Sequence, residues 1–240
     1  MKKVWIDAGH GGKDPGKVDN GLLEKNIVLK ISLAVKDRLE SEYEGVQVLL
    51  TRSTDVFVEL DDRTSAANKA GANILVSIHC NGAGGKGGFE SFRYINPQPA
   101  SVALQNVLHA EIMAALKPFG VIDRGKKSKN LHMVRESKMP AVLTENLFID
   151  VAADAARLKR QDVIEAMIDG HVKGIAKFLG LKLKEDTDVV EKAKVYVNGE
   201  KIEDGFILEN RVYVPLRAAG EALGAKVTWD NKEKKATLTK

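Results

Sequence analysis

Apolar and polar positions follow two alternating periods along the first three quarters of the chain. Residues 3–6 (KVWI) predict a short buried strand. Leu23, Ile27, Ile31, Ala34, Val35 and Leu39 recur at helical spacing, predicting an amphipathic helix over about 23–41. VQVLLT (46–51) predicts a strand and 60–70 a helix. NILVSIH (73–79) is almost continuously apolar, as expected of a central parallel strand covered on both faces. GFESFRY (88–94) predicts another strand, and residues 100–117 a helix with Leu104, Leu108, Ile112 and Leu116 on one face. LHMV (131–134) and AVLTE (141–145) predict short strands, and Val163, Met167, Ile175 and Leu179 mark a last helix ending at Gly180. Alternating strands and helices predict an α/β layer structure, a mainly parallel sheet flanked by helices, over residues 1–181.

The pattern then changes. KLKEDTDVVEKA (182–193) is polar and charged and predicts a linker. Residues 194–240 predict a small β-rich unit with a helix at 216–223, and Asn-Gly inside VYVNGEKI signals a hairpin. A unit this short has a marginal core, which favours docking onto something else.

Composition narrows the function classes. The chain of 240 residues is 44% hydrophobic and 29% charged, ordinary for a globular protein. Net charge is +4, but lysines and acids are interspersed and aromatics are only 5%, so nucleic-acid binding has little support. No apolar run is long enough to span a bilayer. MKKVWIDAGHGG offers two lysines but only three apolar residues before Asp7, too few for a signal peptide, so synthesis in the cytoplasm is expected. The single cysteine, Cys80, cannot form an internal disulfide and is expected buried and inert.

Chemistry gathers at strand ends. His10 follows the first strand, Glu24 opens the first long helix and His79 ends NILVSIH. In an open parallel sheet, sites lie outside the carboxyl ends of strands, so these three should share a rim. Two histidines and a glutamate with a fourth position left for water form a catalytic zinc arrangement. Glu145 closes PAVLTE at another carboxyl end, and a carboxylate beside a metal suits a general base. Singly, a histidine after a strand is usually a hydrogen-bonded loop residue and a glutamate at a helix start usually complements the macrodipole, while Glu145 reads equally as an edge carboxylate in solvent.

DAGHGGKDPG, Glu24 in LLEKN, LLTRSTD, Arg63, Asn68, SIHCN, GFE and PAVLTENLFID occur in order. Over about 1–180 they resemble the zinc-dependent N-acetylmuramoyl-L-alanine amidases. The resemblance implies a phosphorylase/hydrolase-like twisted sheet, zinc ligands at His10, Glu24 and His79, and a catalytic Glu145. It also implies a substrate, the amide between N-acetylmuramic acid and L-alanine in peptidoglycan of a Gram-positive-type wall. Where many members carry Thr-Gly after that glutamate, this chain has Asn146 and Leu147. The C-terminal unit resembles the copper amine oxidase N-terminal-like repeat, which implies wall binding or a homodimer. It has no histidine or cysteine, so no metal is expected there.

Asn81, His132, Glu90 and Arg63 are candidate substrate contacts. His132 is taken to precede a strand near the rim, while Arg52 and Arg63 read equally as structural ion-pair partners. His171 reads as a satisfied core histidine and His109 as half-exposed. GGKGG (84–88) lacks P-loop spacing and reads as a connection. Without a signal, a wall hydrolase needs release by lysis, which fits both a phage endolysin and a sporulation autolysin; a compact enzyme paired with one small module favours the endolysin. A non-catalytic wall-binding protein and a zinc peptidase of other substrates are the competing classes.

Overall fold

A computed structural model describes residues 1–184, 191–208 and 210–240. The chain forms two compact units, Met1–Lys184 and Glu185–Lys240. In the first, β1 (Lys2–Ala8) leads through a small hairpin of β2 (Val18–Asp19) and β3 (Leu22–Leu23) into helix α1 (Glu24–Glu42). Then come β4 (Val46–Leu50), α2 (Leu60–Lys69), β5 (Ile74–Asn81), β6 (Phe89–Arg93) and α3 (Pro99–Leu116). The unit ends with β7 (Asp123–Ser128), α4 (His132–Arg135), β8 (Ala141–Phe148), α5 (Ala152–Leu158) and α6 (Gln161–Leu179).

Six strands make one sheet in the order β4-β1-β5-β8-β6-β7. β4, β1, β5 and β8 run parallel, β6 is antiparallel to β8, and β7 runs parallel to β6. The sheet is thus mainly parallel, as its apolar runs predict. Ile74, Leu75, Val76 and Ile78 of β5 are fully buried because helices cover both faces. On one face Ile31, Val35, Leu108, Ile112, Val172 and Ile175 pack over Val4 and Ile6. On the other, Met133 and Val134 join Trp5, Leu75, Phe92 and Leu143.

Three local readings are corrected. LHMV is not a strand: His132 to Arg135 form the short helix α4, whose Met133 and Val134 reach the second core. Four residues are too few for period to distinguish strand from helix. β7 (DRGKKS) escaped a pattern-based reading because it is an edge strand without an apolar face, held by main-chain pairing to β6. His109 is buried rather than half-exposed, bonded between Ser91 Oγ and Asp123 Oδ1 at 2.9 Å each. Cys80 is buried among core residues, and burial pushes its thiol well up, consistent with an inert role. Among the described residues, no helix is long and apolar enough to cross a membrane.

The second unit contains β9 (Glu191–Ala193), the hairpin β10 (Tyr196–Val197) and β11 (Glu200–Lys201), β12 (Gly205–Leu208), β13 (Arg211–Tyr213), α7 (Leu216–Ala222), β14 (Lys226–Asp230) and β15 (Lys235–Thr239). Asn198 (φ 52°) and Gly199 (φ 88°) make the turn that Asn-Gly predicts. Of the charged stretch 182–193, Leu183 bridges Tyr43 and residues 191–193 pair with β12, while 185–190 lie outside the described residues. Only Gly205, Gly220 and Ala225 are buried among this unit's described residues, in keeping with its small size.

Candidate active site

The site is built at the carboxyl ends of β1, β5 and β8, where the parallel sheet leaves a rim. Just below it, Asp7 is buried, accepting from Ser77 Oγ at 2.7 Å and from Arg63 Nη1 at 3.0 Å. Arg63 also donates to the carbonyls of Ala8 (2.9 Å), His10 (2.8 Å) and Val58 (2.8 Å). Arg52 donates to Ala8 (3.0 Å), Gly9 (2.7 Å) and Lys25 (2.8 Å). Two buried guanidiniums therefore hold the carbonyls of the turn Ala8–His10. Both read as positioning groups, with Arg63 directed mainly at this chain's own atoms.

The turn is strained where it carries chemistry. His10 has φ 60°, a left-handed conformation uncommon outside glycine. A Cβ on Gly9 would lie 2.3 Å from His79 Cε1, so only glycine lets the two histidines approach. Their rings meet edge to face with centroids 4.9 Å apart.

His10, Glu24 and His79 converge. Glu24 Oε1 lies 3.1 Å from His10 Nε2 and 3.0 Å from His79 Nδ1, and accepts from the Cys80 amide at 3.0 Å. Its Oε2 accepts from the Lys17 amide at 2.8 Å. One ligand atom from each of the three residues lies within 4.8 Å of the others. Asp14 Oδ2 accepts from His10 Nδ1 at 2.8 Å, which orients Nε2 toward the cluster. Asp14 was not singled out by the sequence pattern; a carboxylate four residues after a ligand histidine is the signal available.

Electrostatics follow from this crowding. Burial alone would raise the Glu24 carboxyl, but hydrogen bonds from His10 and His79 outweigh it and hold it well below its ordinary range. Burial would lower His10, yet Glu24 and Asp14 raise it to about 9. His79 is raised against burial by Glu24 and Glu145. Such a cluster attracts positive charge, whether protons or a metal ion.

Glu145 pairs in register with His79 across β5 and β8. Burial raises its carboxyl to about 7; His79 opposes this, and the charges of Glu24 and Glu90 reinforce it. Its Oε2 is buried without a hydrogen-bond partner. Just beyond it β8 carries one extra residue against β5, with Leu147 at φ 68°. Such a bulge re-aims side chains beside a site. Asn146 is buried in it and donates to the His79 carbonyl at 3.0 Å, an anchoring contact that sequence reasoning missed.

The remaining candidates spread around the rim. Asn81 donates to Glu90 Oε1 at 2.8 Å and accepts from the Gly82 amide. Glu90 is buried, paired in register with Glu145, and bound by Arg124 and Lys127. His132 places Nε2 3.2 Å from Thr64 Oγ1, on α4 rather than before a strand. A cleft of about 320 Å³ opens beside His10 and His79, walled by Phe57, Val58, Leu60 and Met133.

An N, N, O donor set from two imidazoles and a carboxylate suits zinc. The partnerless Glu145 oxygen beside it is the group a reacting water would satisfy. The residues present therefore fit a metal centre of the catalytic kind.

Comparisons with known proteins give the family. Residues 190–240 match the copper amine oxidase N-terminal domain family. The endolysin of Bacillus phage SPP1 is 48% identical over 216 residues, covering 86% of this chain and 79% of that protein. The sporulation-specific N-acetylmuramoyl-L-alanine amidase of Bacillus subtilis is 47% identical over 182 residues, covering 76% of this chain and 70% of its own. The catalytic domain of the amidase CwlV from Bacillus (Paenibacillus) polymyxa superposes with TM-score 0.71 at 38% identity, covering 76% of this chain and all of that one. An N-acetylmuramoyl-L-alanine amidase from Clostridium difficile gives TM-score 0.71 at 30% identity over 75% of this chain and 97% of its own. With residues 4–177 also matching the family model itself, the chain belongs to the N-acetylmuramoyl-L-alanine amidase family.

Proposed function

We propose that His10, Glu24 and His79 hold one zinc ion and that Glu145 is the proton carrier in hydrolysis of the N-acetylmuramoyl-L-alanine amide of peptidoglycan. The observation that carries the reading is the convergence of three ligand atoms within 4.8 Å beside the partnerless Oε2 of Glu145. When bound, the ion supplies Lewis acidity toward water and the amide carbonyl.

The chain's own residues do the rest. Glu145, with a carboxyl near neutrality, takes a proton from the attacking water as its oxygen bonds to the lactyl carbonyl carbon. The C–N bond breaks, and Glu145 passes that proton to the departing alanine nitrogen. Asp14 keeps the His10 Nδ1 proton in place, so that Nε2 faces the cluster. Arg52 and Arg63 fix the turn that carries His10. The intact set of four residues argues against a non-catalytic wall-binding protein.

The physiological role we infer is that of a phage-type endolysin acting on a Gram-positive-type wall. The similarity to the SPP1 endolysin spans 86% of the chain, more than the first unit alone. In this reading the second unit is a wall-binding module, presenting exposed Tyr196, Phe206, Tyr213 and Trp229. Tethering would raise the local concentration of the catalytic unit at an insoluble substrate. A homodimer through the same unit is the competing role, separated by sedimentation of the free protein and by binding to purified walls.

Mass analysis of digested peptidoglycan tests the whole reading. Wild type should release stem peptides with a free L-alanine amine, and zinc-stripped protein or Glu145→Ala should not. Release of glycan fragments, or undiminished release by the stripped protein, would overturn it.

A further inference from the structure

We propose that Arg124 and Lys127 form a carboxylate-binding subsite for the peptide side of the substrate, two strands beyond Glu145 on the same face of the sheet. The proposal rests on the amidase reading and deepens it.

The register places these groups in one row. His79 on β5 pairs with Glu145 on β8, and Glu145 pairs with Glu90 on β6. Glu90 Oε2 accepts from Arg124 Nε at 2.9 Å and from Lys127 Nζ, both on β7. In a regular strand, residues three apart point to opposite faces. Here β7 spends three steps, from Asp123 to Lys126, where β6 spends two, from Phe89 to Ser91. The extra residue falls around Gly125, whose φ of 84° suits glycine. That bulge restores parity and turns both cations toward Glu90. β7 is an edge strand, so its outer side is open to an extended peptide.

Charge balance indicates what would bind. Lys25 is paired with Asp55 at 2.7 Å and Lys17 with Asp150 at 3.2 Å, one cation to one acid. Arg52 and Arg63 are committed to the turn around His10. Around this rim Glu90 carries two cations, leaving that trio one positive charge in excess. Glu90 is buried, whereas Lys127 retains 40% of its side-chain exposure and Arg124 28%, so the cations face outward. Phe148 lies under the Arg124 guanidinium at 4.5 Å and stiffens it.

Distance sets the class of ligand. Two strand spacings put β7 ~10 Å from Glu145. An extended peptide advances ~3.4 Å per residue, so the subsite meets a carboxylate two or three residues from the scissile amide. The cleft on the opposite side, beside His10, is left for the N-acetylmuramoyl part.

The test compares kcat/KM for two synthetic N-acetylmuramoyl peptides, one bearing a side carboxylate two residues from the scissile amide and one bearing its carboxamide. Wild type should prefer the carboxylate by about tenfold, the worth of one half-exposed charge-assisted contact. Lys127→Gln and Arg124→Gln should each cut that ratio several-fold, chiefly through KM, while Lys127→Arg retains it. Lys127→Glu should invert it. A wild type indifferent to the two substrates, or glutamine variants with the wild-type ratio, would overturn the subsite. Cleavage of the carboxamide peptide reports the amidase reaction separately, so a failure of that reading appears as loss of both activities.

Discussion

His171 offers a measurement of how the core behind the catalytic strand is held. It is fully buried on α6, its Nδ1 donating to the Met167 carbonyl at 2.7 Å. The other ring nitrogen then accepts the hydroxyl of Thr144, the residue before Glu145, at 3.1 Å. Burial pushes this histidine from 6.5 down to about 4. Between those values the unfolded chain binds a proton that the folded chain refuses. The stabilisation is complete above pH 6.5, declines as pH falls, and is lost below about 4. A difference of that size at 1.36 kcal/mol per pH unit amounts to ~3 kcal/mol. His171→Gln removes the titration while keeping an amide able to reach both partners. In a Trp229→Phe background, Trp5 alone reports the first unit, and urea unfolding with excess chelator removes metal linkage. The wild-type advantage over the variant should shrink by ~3 kcal/mol between pH 7 and pH 4. Parallel curves for the two proteins would show that His171 is not held neutral, and the argument from burial would fail.

Other outcomes follow from the same structure. Glu145→Gln should keep stoichiometric zinc by elemental analysis and lose hydrolysis by at least about 10²-fold, the lower bound for a general acid/base; near-normal turnover would remove Glu145 from its role. Gly9→Ala should fold but lose zinc and activity together, because its Cβ would fall 2.3 Å from His79 Cε1; a fully loaded variant would refute the packing argument. Asp7→Ala leaves the Arg63 guanidinium buried without its counter-charge, so thermal or urea unfolding should show a loss of ~3–5 kcal/mol. Chelation should lower the melting temperature and added zinc should restore it in a concentration-dependent way, as mass action requires.

Local pattern carried much of the architecture. β5 is legible in NILVSIH because a strand covered on both faces has no polar alternation to hide it. α1 and α6 announce themselves through apolar spacing because each packs one side on the sheet. β7 and α4 left no such trace, since an edge strand bonds through its main chain and one helical turn is shorter than the period that would reveal it.

The sequence by itself indicated which side chains lie toward the carboxyl ends of the strands: His79 ends an apolar run, His10 follows the first strand, and Glu145 lies in a strand that the pattern ended at 145 but the structure carries on to Phe148. Only the tertiary structure decided what those residues face. Arg63 pairs with Asp7 across 56 positions of chain, and Glu24 meets His79 across 55, contacts between segments whose separation leaves no period to read. The bulge at Gly125, which brings Arg124 and Lys127 onto one face, exists only relative to a neighbouring strand. Periodicity reports burial within a segment, whereas register, bulges and ion pairing arise between segments and appear once the sheet has closed.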